Sequence, residues 1–199
     1  MVYILSFNAP PIDRKEVLRY AGVAEESIEI SALLDECISE IDGRLSYKVC
    51  YREFTALACD GEVNLDFCRV KSNALCRNIS GCDKIILFAA TVGFEIDRLI
   101  ARAGVISAAK AMMLQALGSE RVEALCDAFN DMIKKEASSR GYTTRPRVSA
   151  GYGDIPLSMQ KEIFAALDCK SKIGVSLGEN LWMSPSKSVT AIIGLQEKK

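Results

Sequence analysis

Apolar and polar residues recur along the chain with two different periods, and the shorter period predicts strands. Residues 84–92 form a continuous apolar run of strand length, which indicates a central strand buried on both faces. Val189, Ala191 and Ile193 alternate with Thr190 and Ile192, and such alternation is typical of a strand. The predicted strands cover residues 2–7, 45–57, 62–67, 84–92, 172–176 and 188–194.

Helical spacing appears between these segments. The longest example is residues 105–139, where Val122, Cys126 and Phe129 belong to an apolar stripe with i, i+3, i+4 spacing. Gly118 lies inside this helix and allows a kink or a break into two helices. Gly104 is expected to close the helix before it. The predicted helices cover residues 13–21, 25–41, 94–103, 105–139 and 156–167.

The order of the elements limits the fold class. Strands at the start, middle and end with helices between them predict an α+β or an α/β domain, and periodicity does not choose between the two. No repeat, low-complexity tract or linker interrupts the 199 residues. We therefore expect residues 1–199 to form a single domain.

Composition narrows the function further. The 25 basic and 26 acidic side chains nearly cancel, so no general field draws the chain to nucleic acid or an anionic membrane. The first residues lack the pattern of a signal peptide, and no apolar stretch is long enough to span a bilayer. These features predict a cytoplasmic protein with neither nucleic acid nor membrane as partner.

Eight cysteines and the absence of histidine bear on chemistry. No cysteine pair has CxxC spacing, so we expect reduced, mostly buried thiols rather than a disulfide framework or a metal site. Without histidine, the chain has no imidazole base for a nucleophile and no histidine ligand for cobalt or haem iron. A cysteine-based redox or metal protein is therefore the least favoured of the three functions considered in this section.

Residues 140–155 are irregular and concentrate groups that could bind a ligand. Arg147 and Arg145 can each hold a carboxylate through a planar fork, and Gly151 and Gly153 would let the backbone approach a ligand closely. A surface loop of ordinary composition is the competing interpretation. The Gly151-Tyr152-Gly153 sequence lacks the third glycine and the preceding strand of a dinucleotide site.

Three segments of the sequence resemble the activation domain of cobalamin-dependent methionine synthase. The order Arg147-x-x-x-Gly151-Tyr152 is similar to the RxxxGY loop of that family, and residues 179–189, ENLWMSPSKSV, are similar to its later E-x-x-x-M-x-P-x-x-S-V segment. Residues 83–97 resemble the central strand of the family and the turn after it. The resemblance covers residues 83–194 and is weak before residue 83.

This resemblance implies an α+β fold, a twisted antiparallel sheet with long helices, and a site for S-adenosylmethionine. It implies that Arg147 holds the methionine carboxylate, that Glu123 helps to hold the ligand, and that Tyr152 is the catalytic residue facing the corrin. Asp13 is a weak counterpart of an aspartate that contacts the ligand in the family. The implied cofactor-binding residues are Glu123, Arg147, Ala150, Gly151, Tyr152, Met183, Ser184 and Pro185.

The function implied is an accessory methyltransferase activity in the methionine synthase system. The protein would use S-adenosylmethionine to re-methylate cob(II)alamin on a partner corrinoid protein, with a flavodoxin-like protein as electron donor. The expected partner is a methionine synthase that lacks its own activation domain. The alternative is a non-catalytic module that binds S-adenosylmethionine or a corrinoid protein.

Overall fold

A strand near the middle of the chain, β5 (Lys84–Thr91), is central to a seven-stranded sheet in the computed structural model, which describes residues 1–198. The strand order is β4-β3-β2-β5-β9-β6, with β1 paired to β2 at one edge, and every pairing is antiparallel. The other strands are β1 (Tyr3–Ser6), β2 (Lys48–Cys59), β3 (Glu62–Leu65), β4 (Cys68–Lys71), β6 (Tyr142–Thr144), β7 (Ser176–Leu177), β8 (Met183–Ser184) and β9 (Ser188–Glu197).

Helices cover both faces of this sheet, and because all of its strand pairs are antiparallel the predicted α+β class is confirmed. Beside the seven α-helices, a 3₁₀ turn at Leu157–Met159 follows Pro156 and leads directly into α6. The helices are α1 (Arg14–Tyr20), α2 (Ile28–Ile41), α3 (Asn73–Asn78), α4 (Glu95–Ile106), α5 (Ala108–Ser139), α6 (Gln160–Leu167) and α7 (Cys169–Ile173).

Successive side chains of β5 alternate between two separate apolar cores. Ile86 and Phe88 belong to the core formed with α1, α2, α4 and α5, whereas Ile85 and Leu87 belong to the core formed with α3, α6 and α7. The apolar run that predicted a strand buried on both faces therefore has that position. Five of the eight cysteines are buried, as expected for thiols that pack like small apolar side chains.

Several predicted boundaries were wrong. The helix before the long helix does not close at Gly104 but continues to Ile106, and Ser107 begins α5 by accepting a hydrogen bond from the Lys110 N–H. The predicted strand over 172–176 begins inside helix α7, which ends at Ile173, and only the two-residue β7, from Ser176, is a strand. The loop over 140–155 begins with strand β6, and β4 was not predicted.

Gly118 does not break α5, because its role is close packing. A Cβ on this residue would lie 2.8 Å from Cγ1 of Ile96 on α4 and 3.0 Å from Cγ of Lys187. The missing side chain lets α4 approach α5, while the helix runs without interruption from Ala108 to Ser139. Within residues 1–198, no helix combines the length and the apolar character needed to cross a membrane.

A buried ion pair ties the segment before α1 to α5. Arg121 is 1% exposed, and its Nε and Nη2 donate to the two carboxylate oxygens of Glu120, each at 2.5 Å. The same guanidinium donates to the carbonyl oxygens of Pro10 and Pro11 at 2.5 and 2.8 Å. Glu120 in turn accepts the Asp13 N–H at 3.0 Å, so residues 10–13 are held against the helix.

We expect alanine to have opposite effects at the two glycines inside helices. Gly104→Ala should stabilise the protein by up to about 1 kcal/mol, because alanine favours helix. The added Cβ would meet no atom of another element within 4 Å. Gly118→Ala should have an unfolding free energy about 1–3 kcal/mol below that of Gly104→Ala, because Ile96 and Lys187 must shift. Urea denaturation of both variants measures the difference, and equal values would contradict the packing role of Gly118.

We expect Arg121→Met to lower the free energy of unfolding by about 3–5 kcal/mol, because it leaves the Glu120 carboxylate buried without its partner. The double variant Glu120→Leu/Arg121→Met removes both charges and should be less destabilised than the single variant. Thermal and urea unfolding of the two proteins provide the test. A double variant less stable than Arg121→Met would show that the pair itself, rather than the unpaired charge, dominates.

Candidate functional site

The loop that follows β6 runs along the edge of β9 and then turns away from the sheet. The Arg145 N–H donates to the Gly194 carbonyl at 2.8 Å, and Val148 exchanges two backbone hydrogen bonds with Ile192 at 3.0 and 2.8 Å. Pro146 and Arg147 lie between the two hydrogen-bonded residues Arg145 and Val148. The sheet edge therefore fixes the backbone on both sides of Arg147.

Arg147 reaches α5 and pairs with two carboxylates there. Its Nη2 donates to Glu123 Oε2 at 2.6 Å and its Nη1 donates to Asp127 Oδ1 at 2.5 Å. Glu123 and Asp127 are four residues apart, so they lie on the same face of the helix one turn from each other. The acidic partners hold the pKa of Arg147 above its ordinary value although desolvation opposes this.

Beyond Arg147, a compact turn presents Tyr152. The Tyr152 N–H donates to the Ser149 carbonyl at 3.3 Å, the Ile155 N–H donates to the Tyr152 carbonyl at 3.1 Å, and the Gly151 N–H donates to Ile155 at 2.9 Å. Gly151 has φ +90°, a region that glycine adopts without strain. Tyr152 is 74% exposed at the tip of this rigid turn.

Asp154 attaches the far end of the turn to α3. Its carboxylate accepts hydrogen bonds from the Asn73 N–H at 2.8 Å, the Ala74 N–H at 3.0 Å and the Ser72 hydroxyl. The hydrogen bond from Ser72 and those from the backbone hold the pKa of Asp154 below its usual range. Residues 145–156 thus bridge α5, β9 and α3, and this loop forms a wall of a large cleft.

That cleft has a volume of about 800 Å³ and is mostly apolar. Arg147 and Glu123 lie at one end, and Tyr152 and Trp182, each 74% exposed, lie at its mouth. On its floor the Thr190 hydroxyl donates to Gln160 Oε1 at 2.9 Å in a buried position. The remaining lining residues are Ala74, Val148, Ser149, Ala150, Gly153, Ile155, Leu157, Leu181, Met183, Ser186, Ser188 and Val189.

A second, smaller cleft of about 520 Å³ lies on the other side of Arg147. Glu123 and Arg147 line both clefts, so their ion pair forms the boundary between them. Asp13, held by the buried Glu120–Arg121 pair, also lines this second cleft. We name it the acidic cleft, because six carboxylates line it: Asp13, Glu16, Glu120, Glu123, Asp127 and Asp131. In the described residues 1–198, no group of three or more cysteine or acidic side chains is placed to hold a metal ion.

The structure brings most of the sequence-predicted site residues together. Glu123, Arg147, Ala150, Tyr152 and Met183 line the large cleft, and Gly151 shapes the turn at its wall.

Two predicted residues do not line the cleft. Ser184 is exposed in β8 and Pro185 is buried, and neither lines the cleft, whereas Ser186 and Ser188 of the same segment do. The roles assigned to all these residues stay predictions.

Sequence reasoning missed Asp127 and the polar floor. Asp127 is detectable only as the residue one helical turn after Glu123, a spacing that many solvated carboxylates share. Gln160 and Thr190 come from α6 and β9, which are far apart in sequence, so no local pattern joins them. Trp182, which the sequence analysis did not single out, lines the cleft as well.

Comparison with known proteins places this geometry in a family. The whole chain superimposes on 79% of a solved chain described as the MetH reactivation domain bound to AdoHcy, with a TM-score of 0.74 and 16% sequence identity. No protein with a curated description matches the sequence. The family model of the vitamin B12 dependent methionine synthase activation domain matches residues 66–199, well over half of the chain. The protein therefore belongs to the family of the vitamin B12 dependent methionine synthase activation domain.

Proposed function

We propose that the protein binds S-adenosylmethionine in the large cleft and supports reductive re-methylation of cob(II)alamin held by a partner corrinoid protein. The expected partner is a methionine synthase without its own activation domain, and a flavodoxin-like protein is the expected electron donor. The observation that carries the proposal is the cleft itself, which joins the Arg147–Glu123 pair at one end to the exposed Tyr152 at its mouth.

The cleft suits the chemical groups of S-adenosylmethionine. Its volume of about 800 Å³ lies within the usual range for small-molecule sites, and its walls are largely apolar. The guanidinium of Arg147 matches a carboxylate, while Glu123 is a counter-charge for an ammonium or a sulfonium. Gln160 and Thr190 on the floor offer polar groups for a nucleoside.

The contribution of the protein to methyl transfer would be orientation. S-adenosylmethionine supplies the methyl group when bound, and the corrinoid of the partner accepts it. Arg147 and Glu123 would fix the amino-acid end of the ligand, and the hydrogen-bonded turn would hold Tyr152 towards the partner. Because the chain contains no histidine, it offers no histidine ligand for cobalt, and the corrinoid has to come with the partner.

A second function rests on a specific observation. Arg147 is already paired with Glu123 and Asp127, so the positive charge of its guanidinium is compensated without any ligand. Such a site would also suit a non-catalytic module that senses S-adenosylmethionine or docks on a corrinoid protein. Ligand binding without methylation of any corrinoid protein would select this second function.

We expect wild-type protein to bind S-adenosylmethionine, and Arg147→Ala to weaken binding by about 2–4 kcal/mol, because the substitution removes a charge-assisted bidentate contact. Isothermal titration calorimetry measures both affinities. Arg102→Ala is the matched control, because Arg102 is exposed on α4 and lines none of these clefts. Equal affinities for Arg147→Ala and wild type would remove Arg147 from the site, and no binding by wild type would reject S-adenosylmethionine as the ligand.

We expect the protein to accelerate methylcobalamin formation when it is mixed with a cob(II)alamin-loaded partner, a reductant and S-adenosylmethionine. Tyr152→Ala should slow the reaction about tenfold or more if the phenol positions the reacting groups. The appearance of the methylcobalamin absorption spectrum is the measurement, and Tyr3→Ala on the edge strand is the control. Tight retention of cobalamin by the purified protein alone, or no acceleration with any candidate partner, would contradict the accessory role.

A further inference from the structure

The floor of the large cleft carries an amide group that is buried but only half paired. Gln160, the first residue of α6, is 4% exposed and lines the cleft. Its Oε1 accepts a hydrogen bond from the hydroxyl of Thr190 at 2.9 Å, and Thr190 on β9 is itself 1% exposed. A glutamine amide accepts through its oxygen and donates two hydrogens from its nitrogen. The sheet therefore fixes the oxygen side of this amide.

The nitrogen side of the Gln160 amide has no partner in the protein. Within residues 1–198, no group accepts a hydrogen bond from Nε2. Nε2 is also not one of the side-chain atoms that are enclosed without a partner, so it borders the open space of the cleft. A donor that is largely withdrawn from water and left unpaired costs free energy, which an acceptor on a ligand would recover.

The other buried polar side chains that line the cleft are already satisfied by the protein. The Ser188 hydroxyl donates to the Pro185 carbonyl at 2.8 Å and lies 2.9 Å from the Thr91 hydroxyl. The hydroxyl proton of Thr190 is directed to Gln160. In the part of the chain that the structure describes, Nε2 of Gln160 is thus the buried side-chain donor that is left for a ligand.

The surroundings of this donor favour a flat ring that carries an acceptor. Ala150 and Ile155 are buried apolar residues that line the same cleft, and apolar walls with a few polar groups suit a nucleobase. In the proposed ligand the amino-acid end belongs to Arg147 and Glu123, which leaves the adenosine for the floor. Adenine offers its ring nitrogens as acceptors, whereas its 6-amino group is a donor and would face Nε2 donor to donor.

We propose that Gln160 is a specificity-determining residue that donates from Nε2 to a ring nitrogen of the nucleobase, and that Thr190 is the positioning residue of its amide. This inference rests on the proposed function and adds recognition of the base to it. A buried donor without an acceptor is costly, so the floor selects a base with an unprotonated ring nitrogen at this point. A base that carries C–H or N–H there is rejected.

The test compares S-adenosylhomocysteine with its 1-deaza, 3-deaza and 7-deaza analogues, in each of which one ring nitrogen of adenine is replaced by C–H. We expect wild-type protein to bind one of the three analogues about tenfold more weakly than S-adenosylhomocysteine, because Nε2 loses its acceptor. Gln160→Met has no amide and should bind that analogue and S-adenosylhomocysteine with equal affinity. Isothermal titration calorimetry measures each dissociation constant.

Two further variants separate recognition of the base from folding. Gln115→Met is the matched control, since Gln115 is exposed on α5 and lines neither cleft, and it should keep the wild-type discrimination. Gln160→Met leaves the buried Thr190 hydroxyl without an acceptor, whereas Gln160→Met/Thr190→Val replaces both polar partners by apolar groups of similar shape. The double variant should lose the discrimination as the single variant does.

The outcomes distinguish this inference from the proposed function. Equal binding of all three analogues and S-adenosylhomocysteine to wild type would overturn the inference and leave the proposed function standing. Discrimination that survives in both Gln160 variants would overturn it as well. If S-adenosylhomocysteine does not bind to wild type at all, the proposed function fails and recognition of the base fails with it.

Discussion

The burial of β5 on both faces is the constraint on which the rest of the structure depends. A strand with apolar side chains on both sides needs cover on both sides, and the helices divide accordingly into two groups. β9 lies beside β5 in an eight-residue antiparallel register, and the loop after β6 follows the outer edge of β9. The position of Arg147 therefore depends on the central strand, because β5 is hydrogen-bonded to β9 and β9 is hydrogen-bonded to the loop.

The two charged clusters of α5 differ in what surrounds them. Glu120 and Arg121 are almost fully buried and satisfied by the backbone of the segment before α1, so their arrangement is fixed. One turn later, Glu123 and Asp127 face the clefts and meet Arg147 from the loop. A buried pair that fixes a segment and a more exposed cluster that faces the clefts therefore lie next to each other on one helix.

Much of the architecture could be predicted from the sequence, because a strong apolar pattern arises directly from burial of one or both faces of an element. The apolar run of β5 and the stripe of α5 reflect burial directly, and both elements lie where they were predicted. Gly118 was misleading, because helix propensity describes the isolated helix whereas Ile96 and Lys187 decide this position. Strand β4 and helix α7 are short, and short elements take their conformation from tertiary contacts that no local pattern reveals. Arg147 could be identified as a candidate from its own loop. Its pairing with Asp127 is a tertiary contact and could not be predicted from a local pattern.

The pairing of β5 with β9 has a consequence for how the chain folds. Lys84 pairs with Leu195 and Thr91 with Ser188, so four helices and three strands of the structure lie between the two paired strands in sequence. Closing such a long loop costs entropy before any contact compensates it, and folds dominated by distant pairings are slow to form. Until β9 arrives, the apolar edge of β5 is open to other chains, which makes early intermediates prone to aggregation. The same central pairing that positions the site in the native state thus leaves an apolar strand without its partner during folding.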